Sequence, residues 1–150
     1  MRVIPLIVAV LLLFASSCTK ENKQPEIDDQ IIQKYLVDNQ LDATRVGSGL
    51  YIITTKEGSG DSPTISNTVE VKYTGMLLNG RVFDQTDPDK TFTYELSGLI
   101  LGWQIGIPLM KKGGKATLIV PSSLGYGKVQ IGPIPANSVL IFDIELIDFR

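Results

Sequence analysis

Short runs of alternating apolar and polar residues dominate the second half of the chain. Val69, Val71 and Tyr73 alternate with Glu70, Lys72 and Thr74, and Phe92 and Tyr94 with Thr91 and Thr93. Ala116, Leu118 and Val120 alternate with Lys115, Thr117 and Ile119. Leu140, Phe142, Ile144 and Leu146 line one side of a last run that also carries Asp143, Glu145 and Asp148. A period of two puts successive side chains on opposite faces of a strand, so each run predicts a strand with one apolar face. Gly58-Ser59-Gly60, Asn79-Gly80, Asp87-Pro88-Asp89, Lys112-Gly113-Gly114 and Gly132-Pro133 separate the runs and predict turns. The simplest architecture is a half-buried antiparallel sheet. Leu99 to Met110 departs from it, because Leu99, Ile100, Trp103, Ile107 and Met110 follow a spacing nearer the helical one. Pro108 lacks a backbone donor and limits that helix to a couple of turns. One short helix across the apolar face of a sheet makes an α+β domain, here assigned to residues 49–150.

Upstream, Ile27, Ile31, Ile32, Tyr35 and Leu36 share one helical face and predict a helix over Ile27 to Asn39, with Asp28 and Asp29 in its favourable first turn. Its stripe is short, so it is expected to dock on the domain, and the chain to be a monomer. This helix and a linker fill residues 27–48, and the polar residues 18–26 are expected to form a tether. Arg2, the apolar run Ile4 to Phe14 and the small residues Ala15-Ser16-Ser17 have the order of a signal peptide over residues 1–17. The run falls short of the roughly 20 residues a membrane-spanning helix needs.

Cys18 is the only cysteine, which rules out a disulfide within the chain. Ala15-Ser16-Ser17-Cys18 resembles a lipobox, implying lipidation of Cys18. Lipid would hold the protein at a membrane surface, each buried methylene adding about 0.8 kcal/mol. The expected location is the cell envelope, on the outer membrane, with the domain in the periplasm or on the cell surface.

The chain has no histidine, so neither a Ser-His-Asp nor a Cys-His apparatus can be built. One cysteine and no histidine also exclude the common zinc spacings, and no metal site is expected. The net charge is −2 and the one basic pair is Lys111-Lys112, which argues against a nucleic-acid partner. Gly113-Gly114-Lys115 lacks the upstream glycine of a phosphate-binding loop and is read as a tight turn.

What remains is aromatic. Tyr73, Phe83, Phe92, Trp103, Tyr126 and Phe142 lie in or beside segments whose apolar faces should meet. The segments around them carry a resemblance. Val71-Lys72-Tyr73-Thr74-Gly75-Met76-Leu77-Leu78-Asn79-Gly80-Arg81-Val82-Phe83-Asp84 resembles the first long motif of the FKBP-type peptidyl-prolyl isomerases. Leu99-Ile100-Leu101-Gly102-Trp103-Gln104-Ile105-Gly106, followed by Met110-Lys111-Lys112-Gly113, is similar to the family's helix. Tyr126-Gly127 resembles its next element, with Gly125 in place of alanine. Ile134-Pro135-Ala136-Asn137-Ser138-Val139-Leu140-Ile141-Phe142-Asp143-Ile144-Glu145-Leu146 resembles its closing motif, with Ala136 where a second proline is common.

The resemblance implies a twisted antiparallel sheet wrapped around one short helix, and a proline pocket. Trp103 would form its floor, with Tyr73, Phe83, Phe92 and Phe142 as walls. Leu99 and Ile100 would flank the floor, the Ile100 backbone amide binding a substrate carbonyl. Tyr126 would donate its hydroxyl near the entrance, Ile134 would form an apolar lip, and Asp84 would be the carboxylate facing the pocket. The residues implied to act on the substrate are Tyr73, Phe83, Asp84 and Tyr126. Asp84 would either face the rotating carbonyl or anchor Tyr73.

The implied partners are proline-containing polypeptides, macrolide ligands and, through the lipid, a membrane. No cofactor is implied. The competing function on the same fold is a non-catalytic peptide-binding chaperone.

Overall fold

The computed structural model describes residues 22–150. The expected leader, Cys18 and the first part of the tether lie outside the described residues. Helix α1 spans Gln24–Asp38, with Pro25 in its first turn, where a missing N–H costs nothing. It thus begins inside the segment expected to be a tether. Gln24, Pro25 and Glu26 carry no apolar period that could have announced them.

Seven strands follow: β1 (Thr44–Val46), β2 (Leu50–Lys56), β3 (Thr68–Leu77), β4 (Val82–Gln85), β5 (Phe92–Glu95), β6 (Lys115–Val120) and β7 (Leu140–Phe149). They form one antiparallel sheet ordered β1-β2-β6-β7-β3-β4. β5 pairs with Thr68 to Val71 of β3, whereas β4 pairs with Thr74 to Met76, so both flank the same edge strand-wise. The sheet therefore reaches back to Thr44, ahead of the boundary expected at Gly49.

The expected second helix is α2 (Leu101–Gly106), continued by a 3-10 turn over Ile107–Leu109 that accommodates Pro108. α2 lies very close to β6. A Cβ on Gly102 would fall 2.6 Å from a Val120 methyl, and one on Gly106 2.6 Å from a Leu118 methyl. Two glycines one turn apart thus give the helix a flat face against the sheet.

The main core lies between α2 and the inner face of the sheet. It contains Leu50, Val69, Val71, Trp103, Ile107, Leu118, Val120, Leu140, Phe142, Ile144 and Leu146. A second core forms on the opposite face, from Ile32 and Leu36 of α1 with Tyr51, Ile119, Val139 and Ile141. Here the sheet is covered on both sides, although the alternation predicted one buried face. Ile119 and Ile141 stand on the face assigned to solvent, and α1 covers it. Full burial of an aliphatic side chain of this size contributes about 1.5–3 kcal/mol, so Ile32 and Leu36 anchor the helix.

The docked face of α1 differs from the expected one. Asp28, Ile32 and Leu36 are buried, while Ile27 and Ile31 are 46% and 40% exposed. The contact line follows the four-residue ladder from Asp28. A carboxylate can take that buried position because hydrogen-bond donors meet it there. Asp29, its neighbour, accepts from the Tyr51 hydroxyl at 2.9 Å and from Arg45 Nε at 3.1 Å.

Candidate functional site

One end of the main core opens into a cavity of about 200 Å³ lined by Tyr73, Phe83, Asp84, Phe92, Leu99, Ile100, Trp103, Tyr126 and Phe142. Tyr73 comes from β3, Phe83 and Asp84 from β4, Phe92 from β5 and Phe142 from β7. Trp103 stands on the first turn of α2, and Tyr126 on the loop after β6. Strands fix their side chains by pleat and register. Gly75 pairs with Phe142 across β3 and β7. A Cβ on Gly75 would come within 2.8 Å of the Phe83 ring and 2.9 Å of Phe142. Its missing side chain is the room those two walls occupy.

Trp103 is 4% exposed and sits among rings. Its centroid lies 5.0 Å from Tyr73, 5.4 Å from Phe142 and 6.4 Å from Phe92, all nearly perpendicular. Phe83 meets Phe142 edge-on at 5.7 Å. Edge-to-face pairs of this kind contribute about 0.5–1.5 kcal/mol each beyond burial, so the walls brace one another. Trp103 Nε1 is buried with no hydrogen-bond partner among the described residues. Such a donor costs about 1–3 kcal/mol, a cost retained at the floor of the cavity.

The polar groups sit at the rim. Tyr73 donates its hydroxyl to Asp84 Oδ2 at 2.5 Å. Burial pushes the Tyr73 phenol well up, and the hydrogen bond and charge of Asp84 push it further. Burial, then the Asp84 charge, also raises the Tyr126 phenol. Tyr126 has no hydrogen-bonding partner for its hydroxyl among the described residues, and both phenols are neutral donors through the physiological range.

A third donor is the Ile100 N–H. Ile100 is the N-cap of α2, and its carbonyl accepts from Trp103 N and Gln104 N. Its own N–H has no partner among the described residues. Gln104 Nε2 holds the segment before it, donating to the carbonyls of Ser97 at 3.1 Å and Leu99 at 2.6 Å.

Nine of the ten expected pocket residues line this one cavity. Ile134 does not. It is 4% exposed and part of the main core, and its N–H and C=O pair with Ile131 to close the loop after Tyr126. An isoleucine flanked by Gly132, Pro133 and Pro135 has no local period, so only packing decided between rim and interior. Gln104 went unnoticed in the sequence. Its signal was an amide side chain one turn beyond Ile100 on a helix with few other polar groups.

Chemically, the arrangement is a small aromatic cage with one paired hydroxyl, one free hydroxyl and one free amide at its edge. It suits a compact apolar ring flanked by carbonyls.

The family described as FKBP-type peptidyl-prolyl cis-trans isomerase matches residues 60–147. A curated relative from Buchnera aphidicola, named FKBP-type peptidyl-prolyl cis-trans isomerase FkpA, is 47% identical over 109 residues, covering 71% of this chain. The matched segment is 43% of that relative and 38% of the Escherichia coli protein of the same name, so the chain spans less than half of either. Among solved structures, FkpA from Escherichia coli superposes with a TM-score of 0.74 at 34% identity, covering 87% of this chain and 63% of that one. A peptidyl-prolyl cis-trans isomerase from Pseudomonas syringae gives 0.72 at 28% identity, covering 83% and 94%. With the cavity built from the residues the motifs mark, and the family matched over most of the sheet and α2, the chain belongs to the FKBP-type peptidyl-prolyl cis-trans isomerases.

Proposed function

We propose that this chain is a peptidyl-prolyl cis-trans isomerase that assists the folding of exported polypeptides. The observation that carries the reading is the Trp103-floored cage with Tyr126 Oη and Ile100 N–H free at its edge. Amide resonance sets a barrier of about 18–20 kcal/mol to rotation about a peptide bond, while cis and trans X-Pro forms differ by only about 0.5–1 kcal/mol. No bond has to break. The protein needs only to bind the twisted, less conjugated amide better than the planar one. The proline ring occupies the cage, the Ile100 N–H and the Tyr126 hydroxyl hold the flanking carbonyls in a turn, and the preceding carbonyl rotates. Asp84 acts through Tyr73, whose hydroxyl it holds. None of these roles requires a group that titrates near neutrality.

The chain from Lys20 onward should accelerate isomerisation of X-Pro peptides, with an apolar residue before proline preferred. An unchanged rate with a folded domain would overturn the reading and leave peptide holding as the function. A macrolide of the FKBP-binding type should compete for the cage.

The domain is held at the cell envelope through lipid on Cys18. No helix among the described residues is long and apolar enough to cross a membrane. Small residues before a lone cysteine support a lipid anchor. Cys18→Ser should release the protein from membranes or leave its leader uncleaved; retention after an alkaline wash would exclude Cys18 as the anchor.

A further inference from the structure

We propose that α1 belongs to the machinery of the site, with Asp28 acting as a positioning residue for Tyr126 through Ser122. The inference rests on the isomerase reading of the cavity and adds to it a role for the N-terminal helix.

Asp28 is fully buried, and Ser122 is 1% exposed. They lie 94 positions apart in the chain. Asp28 Oδ2 accepts from the Ser122 N–H at 2.8 Å and from its hydroxyl at 2.6 Å, while Oδ1 accepts from Gln24 Nε2 at 2.7 Å. The carboxylate is thus met by three donors, two of them on one residue of another element.

Ser122 opens the 3-10 turn Ser122–Leu124 at the start of the loop that carries Tyr126. Its carbonyl accepts from Gly125 N at 3.0 Å and from Gly127 N at 2.8 Å. Those two amides flank Tyr126 directly. Ser122 is therefore a clamp, its N–H and hydroxyl fixed by α1 and its carbonyl fixing both sides of Tyr126. The far side of the loop is tied by Asn137 N to the Gly127 carbonyl at 2.7 Å. Tyr126 is half-buried, and its hydroxyl has no protein partner among the described residues to hold it. Its direction is set by the backbone that the clamp holds.

The residue type supports the reading. Ile32 and Leu36 continue the buried ladder of which Asp28 is the first step. A leucine at Asp28 would bury apolar surface with no desolvation cost, whereas a buried carboxylate is costly unless hydrogen bonds meet it. Apolar burial sets the rotation and height of a helix on a sheet less sharply than a directed contact does. Here the two directed hydrogen bonds from Ser122 fix them against the Tyr126 loop.

A double-mutant cycle in the full chain, held in detergent, tests this. Isomerisation of an X-Pro peptide would be measured for the parent, Asp28→Ala, Tyr126→Phe and the double variant, at a temperature where melts show each folded. Asp28→Ala should lower kcat/KM about five- to ten-fold, the scale of one misplaced hydrogen bond. In the Tyr126→Phe background the same change should cost almost nothing, because no hydroxyl remains to misplace. Asp28→Asn keeps an acceptor for Ser122 and should restore most of the rate. Should Asp28→Ala fail to fold, Ser122→Ala removes only the hydroxyl and should show the same dependence on Tyr126. An equal loss in both backgrounds, or no loss in a folded variant, would overturn the inference while leaving the isomerase reading intact. A parent chain without turnover would overturn both.

Discussion

Gln104 Nε2 lies 2.6 Å from the carbonyl oxygen of Leu99. That carbonyl and the Ile100 N–H belong to one planar trans peptide unit and point in opposite directions. Fixing the oxygen on α2 therefore aims the amide hydrogen, and the donor at the rim is set by a side chain that does not line the cavity. Gln104→Ala should lower kcat/KM about five-fold, corresponding to one hydrogen bond of roughly 1 kcal/mol. The melting temperature should move little, because Gln104 is half-exposed. Gln104→Glu should lose as much, since a carboxylate cannot donate to two carbonyls. Steady-state isomerisation assays beside thermal melts check both.

The two tyrosines of the cavity should respond differently to loss of their hydroxyls. Tyr73 donates to Asp84, so its hydroxyl is already engaged. The Tyr126 hydroxyl is available to a substrate carbonyl. Tyr126→Phe should lower kcat/KM by about ten-fold, consistent with a neutral donor lost in a partly dry site, and Tyr73→Phe should lower it less. Tyr73→Phe should cost stability by no more than about 1 kcal/mol, because the Asp84 it leaves behind is exposed to water. The order of the two kcat/KM values decides the assignment; a larger loss at Tyr73 would transfer the donor role to it.

The raised phenols set the sign of the alkaline response. Tyr51, Tyr73 and Tyr126 are all shifted upward, chiefly by burial. An unfolded chain begins to lose its phenolic protons near pH 10, while the folded chain still keeps them. The folded state then binds more protons, so stability falls as pH rises past about 10 and is unaffected by these groups below about pH 9. Urea midpoints from pH 8 to 11 should show that fall, and Tyr73→Phe should make it shallower. Activity should stay nearly flat from about pH 6 to 8, because no histidine is present to titrate there. A bell-shaped profile in that window would contradict the proposed roles.

Trp103 is floor and core at once. It is 4% exposed, yet its indole lines the cavity and meets three rings edge-on. Trp103→Leu should therefore weaken ligand binding and also destabilise the domain, by about 2–4 kcal/mol given the volume lost. As the only tryptophan in the chain, it should change its emission saturably when a proline peptide enters. Emission that stays constant at peptide concentrations saturating turnover would place the proline ring elsewhere.

Much of this molecule is set by short-range pattern. Val69, Val71 and Tyr73, or Leu140 through Leu146, declare a strand and its inward face with no knowledge of any partner, because the pleat alone fixes a period of two. Tyr73, Phe83, Phe92 and Phe142, marked by motifs on strands, line one cavity with Trp103. Residues whose burial is decided by distant segments could not be placed in this way. Ile134 lies in a proline-flanked loop, and folding put it in the interior. Ile119 and Ile141 stand on the face that alternation assigns to water, and α1 covers them. The same holds most clearly for Asp28, whose sequence neighbours argue for an exposed helix start. Its burial depends on an N–H and a hydroxyl 94 positions away. Periodicity is a property of neighbours along the chain, whereas the cost of burying a charge is settled only by the donors that the complete fold brings to it.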